Sequence, residues 1–100
     1  MHLIHDNILK IQALCKKYKV KNLLVFGSIL TDRFNNESDV DFSVSFHPEE
    51  DPLTSGDNFI NLYIGLEDLM GRKIDLVSED YIRNKYFKEE LDETKRLIYG

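Results

Sequence analysis

The sequence predicts an α+β layered domain, a small mixed β-sheet of three or more strands with helices packed against it. Two stretches repeat apolar residues at helical spacing, 3–18 and 59–70. Three short runs read as strands: 22–26, 39–46 and 73–77. Turn-forming residues gather between these runs, and no repeat, low-complexity tract or linker interrupts them. The 100 residues suffice for one domain, 1–100, and 42% apolar residues with eleven aromatics can build its core.

In chain order, Ile4, Ile8, Ile11, Leu14, Cys15 and Tyr18 form the apolar stripe of an amphipathic helix, with Lys10, Lys16 and Lys17 elsewhere. Asn22–Phe26 is a short apolar strand ended by Gly27, and a short helical turn is expected over Ile29–Phe34. Asn35-Asn36-Glu37-Ser38 is a turn cluster. Asp39–Phe46, DVDFSVSF, alternates strictly, so Val40, Phe42, Val44 and Phe46 share one apolar face and Asp39, Asp41, Ser43 and Ser45 the other. HPEEDPLTSGDN (47–58) reads as a loop. A second helix over 59–70 follows, stopped by Gly71. Lys73–Val77 is the third strand, with Ile74 and Leu76 on one face and Asp75 on the other. A short helix over Tyr81–Phe87 and a final helix over Lys88–Tyr99, with Leu91, Leu97 and Ile98 inward, complete the reading.

Bulk composition narrows the function classes. Thirteen basic against eighteen acidic residues leave a net charge of −5, which disfavours a sequence-independent nucleic-acid binder, since such a protein needs a cationic face. A single cysteine, Cys15, permits no internal disulfide and fits a reducing compartment. MHLIHDNILK lacks a signal-peptide pattern and no apolar run approaches the ~20 residues of a membrane span, so a cytoplasmic protein without a membrane anchor is expected.

The chemistry lies in three carboxylates and a turn. Asp39 and Asp41 share a strand face with Cα atoms about 6.5–7 Å apart by strand rise. Asp75 sits on the polar side of another apolar strand, and all three converge if the two strands are neighbours. An oxygen-only set suits a hard cation such as Mg²⁺, and two such ions can clamp an in-line phosphoryl or nucleotidyl transfer. Gly27-Ser28 adds an anion cradle. Backbone N–H groups in a tight turn leading into a helical turn point at a phosphate, and glycine lets it approach closely.

A Gly-Ser pair, a nine-residue gap, SDVD with an apolar tail, and a later strand with a lone Asp resemble the polymerase-β-like nucleotidyltransferase superfamily. More narrowly, VFGSILTDRFNNESDVDF and the ending ETKRLIYG are similar to the minimal nucleotidyltransferase (MNT) domains. Many of those are antitoxins paired with HEPN-domain toxins. The resemblance covers about residues 5–99. It implies that Asp39, Asp41 and Asp75 are the catalytic and metal-ligating residues and that Gly27 and Ser28 bind the triphosphate. It further implies two Mg²⁺ ions, ATP as substrate, and transfer of AMP to a tyrosine hydroxyl of a HEPN partner. Many members carry small or basic residues and a glycine soon after the Gly-Ser pair. This chain has Ile29, Thr31 and Asp32 there, and the nearest cation is Arg33. Arg33 joins the nucleotide-binding set, with Arg72 and Lys73 as further candidates to neutralise phosphate.

Plainer readings stand beside these. Asp-x-Asp alone is also the solvated face of a half-buried strand, Ser28 also a helix N-cap, and Arg33 also a surface residue. His2, His5 and His47 lack partners at metal-ligand spacing, and Cys15 reads as core. A non-catalytic antitoxin that neutralises its partner by complex formation is the alternative function. The 100 residues leave no room for an added domain to grip base and acceptor.

Overall fold

The computed structural model describes residues 2–31, 34–35, 37–48, 52–79 and 95–100, without the side chains of Ser28 and Pro52. Helix α1 spans His2–Lys17, strand β1 Val20–Phe26, a 3₁₀ turn Gly27–Leu30, β2 Val40–Phe46, helix α2 Pro52–Met70, β3 Ile74–Ser78 and β4 Arg96–Tyr99. The sheet order is β3-β2-β1-β4. β1 is antiparallel to both β2 and β4, whereas β2 and β3 run parallel with α2 as the crossover between them.

The core confirms the apolar faces. Val40, Phe42 and Val44 of β2 join Leu23 and Val25 of β1 and Ile74 of β3 under Ile4, Ile11 and Cys15 of α1 and Leu62, Leu66 and Met70 of α2. Alternation then turns Asp41 and Asp75 to the opposite side of the sheet. Ser43 and Ser45, expected on a solvated face, are nevertheless buried, and their hydroxyls have no hydrogen-bond partner in the structure. The carboxylate side of β2 is therefore solvent-accessible only near Asp41.

Helix ends follow local chemistry. Lys16 and Lys17 occupy the last turn of α1, where the helix dipole favours cations, and Lys19 takes φ +60° to reverse the chain into β1. Gly71, at φ +65°, closes α2 with its amide donating to the Glu67 carbonyl at 3.0 Å.

Three expectations are corrected. The loop read over 47–58 is shorter, because α2 begins at Pro52, a residue pre-set for a first helical position. The short helical turn is a 3₁₀ turn over Gly27–Leu30, ending at Leu30 rather than running from Ile29 to Phe34. Of the final helix read over 88–99, the described end is no helix, and 88–94 lie outside the described residues. Arg96–Tyr99 is a strand on the β1 edge, with Ile98 buried as expected but Leu97 58% exposed rather than inward. Pairing with a strand already in place overrides the local helical preference of such a short segment. The helix read over 81–87 and Leu91 lie outside the described residues.

Leu66 is fully buried at the α2–sheet contact, away from the carboxylates. Leu66→Ala should lower stability by about 2–5 kcal/mol. Denaturant unfolding should show an earlier midpoint with an unchanged slope.

Candidate active site

A single row across the sheet builds the site. Phe26 of β1 faces Asp41 of β2, and Asp41 faces Asp75 of β3 as Cα partners. Adjacent strands lie about 4.8 Å apart, so two carboxylates on one face of such a row are forced together. Gly27 follows Phe26 with φ +81°, and a Cβ placed on it would overlap Asp41 Oδ2 and stand 3.3 Å from Asp41 Cγ. Only glycine meets both conditions, a left-handed backbone and a carboxylate packed against its Cα. The Gly27–Leu30 turn thus begins on top of Asp41, and its first amides lie beside the carboxylate row.

Burial is the largest cause that lifts the Asp41 carboxyl from an ordinary 3.8 to about 6; a hydrogen bond with Asp75 and the negative charges of Asp75 and Asp39 add to it. These three carboxylates repel one another, and a bound cation would relieve that. Asp39, just before β2, is less enclosed and has Lys73 Nζ 3.9 Å from its Oδ2.

Among the described residues no group of three or more His, Cys, Asp or Glu side chains is gathered tightly enough to form a cation cage. What the structure brings into contact is the Asp41–Asp75 pair, with Asp39 in electrostatic range. That donor set fits Mg²⁺, which is usually held by one or two carboxylates while waters and substrate phosphates fill the remaining positions.

The candidate cations separate. Arg33 lies outside the described residues, as does the side chain of Ser28, whose backbone sits in the 3₁₀ turn. Lys73 is 70% exposed beside Asp39 and free to reach an anion. The Arg72 guanidinium is engaged, donating to the carbonyls of Asn35 and Ser38 at 3.0 Å each and stacking 4.8 Å from the Phe34 ring centroid. Tyr99 packs against the core. Burial pushes the Cys15 thiol up to about 12, which confirms it as inert core.

Sequence reasoning missed one neighbour. The Tyr63 hydroxyl donates to the Glu67 carboxylate, which holds the phenol above its ordinary pKa, and the negative charges of Asp75 and Asp39 act in the same direction. Tyr63 and Glu67 line an open groove of about 570 Å³ that reaches Lys73, and through it Asp39. The i, i+4 spacing of Tyr63 and Glu67 on α2 was the available signal, and it did not reveal proximity to the carboxylates.

Comparison with known proteins places the chain in a family. The family described as "Polymerase beta, Nucleotidyltransferase" matches residues 9–100. Two proteins of Methanocaldococcus jannaschii are 39% and 37% identical over 95 residues, each alignment spanning 95% of this chain and 86% of the relative. The first carries the name "Putative protein adenylyltransferase MJ0128" and the second the same name with MJ1379. The chain therefore belongs to the polymerase β nucleotidyltransferase family and is an enzyme of the nucleotidyltransferase class.

Solved structures agree in fold. A toxin–antitoxin crystal structure with AMP-PNP superposes with TM-score 0.71 at 20% identity, covering 94% of this chain and 73% of that one. A structure described as a minimal nucleotidyltransferase superposes with TM-score 0.65 at 24% identity, covering 91% and 89%. The resemblance to minimal nucleotidyltransferase domains and the α+β fold expected from sequence are both borne out.

The fold disfavours the charged form of Asp41. A raised native pKa means the folded state holds the proton more tightly, so stability is greatest below about pH 4 and falls as pH rises through about 6. Asp41→Asn should therefore be more stable than wild type at pH 7, by about 1 kcal/mol after allowing for solvent screening, with the difference vanishing near pH 4. Chemical denaturation of both proteins across that range checks it.

Proposed function

We propose that this chain is a Mg²⁺-dependent nucleotidyltransferase that moves AMP from ATP to a hydroxyl of a protein partner, as the antitoxin of a HEPN-domain toxin. The carrying observation is the Asp41–Asp75 pair in one strand register, packed against the Gly27 turn. The relatives named as protein adenylyltransferases support the transferred group. The neighbouring fold of a toxin–antitoxin structure with AMP-PNP supports the nucleotide. A structure of a tri-AMPylated Shewanella oneidensis HEPN toxin with its MNT antitoxin, TM-score 0.62, supports the partner class. No helix among the described residues is long and apolar enough to cross a membrane, which accords with a cytoplasmic partner.

In this reading the Gly27-Ser28 amides hold the terminal phosphates. Asp39 and Asp41 face the metal–phosphate side, and Asp75 faces the incoming hydroxyl. Mg²⁺, when bound, would neutralise the carboxylates and phosphates and activate the attacking oxygen. The hydroxyl oxygen bonds to the α-phosphorus, the bond to the β-phosphate oxygen breaks, pyrophosphate leaves, and the hydroxyl proton passes to Asp75 or to solvent. Lys73, beside Asp39, is the described cation placed to meet phosphate charge. Arg33 stays in the proposed set on sequence grounds.

Mass spectrometry of the partner after incubation with MgATP tests the reading. Wild type should add AMP. Asp41→Asn should lose transfer by at least about 10³-fold while remaining folded, since it removes charge stabilisation at the reacting centre. A tight complex with no adduct, neutralised equally well by Asp41→Asn, would instead establish the non-catalytic antitoxin.

A further inference from the structure

The loop between the phosphate turn and Asp39 is tied to a different part of the chain. Arg72, in the turn joining α2 to β3, sends one guanidinium nitrogen to two carbonyls of that loop, Asn35 and Ser38, at 3.0 Å each. Its Cζ lies over the Phe34 ring, 4.8 Å from the centroid. The loop is braced from within as well. The Asn35 amide donates to Ser38 Oγ at 3.1 Å, the Glu37 amide to Asn35 Oδ1 at 2.8 Å, and the Ser38 amide to the Asn35 carbonyl at 3.1 Å. Next to this lock, the Val40 amide donates to the Lys73 carbonyl at 3.3 Å, which starts the β2–β3 ladder.

Position in the chain gives the contact its meaning. Ser38 immediately precedes Asp39, and Arg72 stands three residues before Asp75. One side chain therefore joins the segment that delivers Asp39 to the segment that delivers Asp75. Asp41 needs no such tie, because it lies inside the ladder with Phe26 and Asp75 on either side. Asp39 lies outside the strand, and its own ion pair with Lys73 is long and exposed, worth little in water.

We infer that Arg72 is a positioning residue that sets Asp39 against the Asp41–Asp75 pair, and not a phosphate ligand. This inference rests on the nucleotidyltransferase reading of the carboxylates. Lysine replaces such a guanidinium poorly, because its compact, strongly hydrated ammonium has no planar face to lay over the ring while it reaches both carbonyls. A residue that neutralised phosphate would tolerate lysine far better.

The test uses the full chain, Mn²⁺ as the metal and AMP-PNP as the nucleotide, so neither partner nor turnover is required. Electron paramagnetic resonance reads free Mn²⁺, and calorimetry at saturating Mn²⁺ reads AMP-PNP. In Arg72→Ala the Mn²⁺ dissociation constant should rise about ten-fold or more, in line with the loss of groups that orient metal ligands. AMP-PNP affinity at saturating Mn²⁺ should stay unchanged, and Arg72→Lys should behave like Arg72→Ala. Phe34→Leu, which removes the ring but keeps the guanidinium, should shift Mn²⁺ in the same direction by less, and it carries the test if Arg72→Ala does not fold. Unchanged Mn²⁺ affinity in these variants overturns the inference. So does weakened AMP-PNP binding that lysine restores, which would make Arg72 a phosphate contact. Wild-type chain that takes up no Mn²⁺ with AMP-PNP would remove the reading of the carboxylates as metal ligands, and the inference with it.

Discussion

Two carboxylates forced side by side are the constraint around which this molecule is arranged. The parallel register of β2 and β3 sets Asp41 directly opposite Asp75. Like charges opposite each other on neighbouring strands destabilise a sheet, and here burial adds to the repulsion. A domain of this size has little stability to spare, so the arrangement demands a strong apolar layer on the other face. Phe42 stands one residue from Asp41, fully buried, and Ile74 and Leu76 flank Asp75 on the helix side. The same alternation that exposes the acids to one side commits their neighbours to the core on the other.

The crossover through α2 serves the same constraint. Parallel strands cannot be joined by a tight turn, so a helix must cross between β2 and β3. That helix delivers Leu62, Leu66 and Met70 to the core, then Gly71 ends it and places Arg72 and Lys73 at the entrance of β3. The two cations at that corner are chemically divided. Arg72 is engaged by backbone carbonyls and a ring, while Lys73 stands in water beside Asp39. Rigid geometry on one side of the corner and mobile positive charge on the other suit a site that must hold its acids still and admit a charged ligand.

Glycine at position 27 couples the turn to the acids. Its left-handed backbone bends the chain at the end of β1, and the missing Cβ is the space the Asp41 carboxylate occupies. A ligand that reached the turn amides would lie against the carboxylate row, which is how one short segment can serve phosphate and metal together. The Tyr63–Glu67 pair and its groove extend the site past Lys73 along α2, away from the turn.

Strict alternation in DVDFSVSF was enough to put Asp39 and Asp41 on one side and the apolar residues on the other, because a strand has a period of two whatever surrounds it. Helical spacing was likewise enough for α1 and the second half of α2, and the Gly-Ser turn was legible from residue type alone. Local pattern could not show that β2 and β3 are neighbours in a register that pairs Asp41 with Asp75. Nor could it show that Arg96–Tyr99 adds a strand to β1, that Ser43 and Ser45 are buried, or that Arg72 reaches back across 34 residues to Ser38. Each of these is a contact between segments distant in sequence. Residue types and their periods determined which chemistry this protein carries, and only the pairing of distant segments decided which of those groups meet.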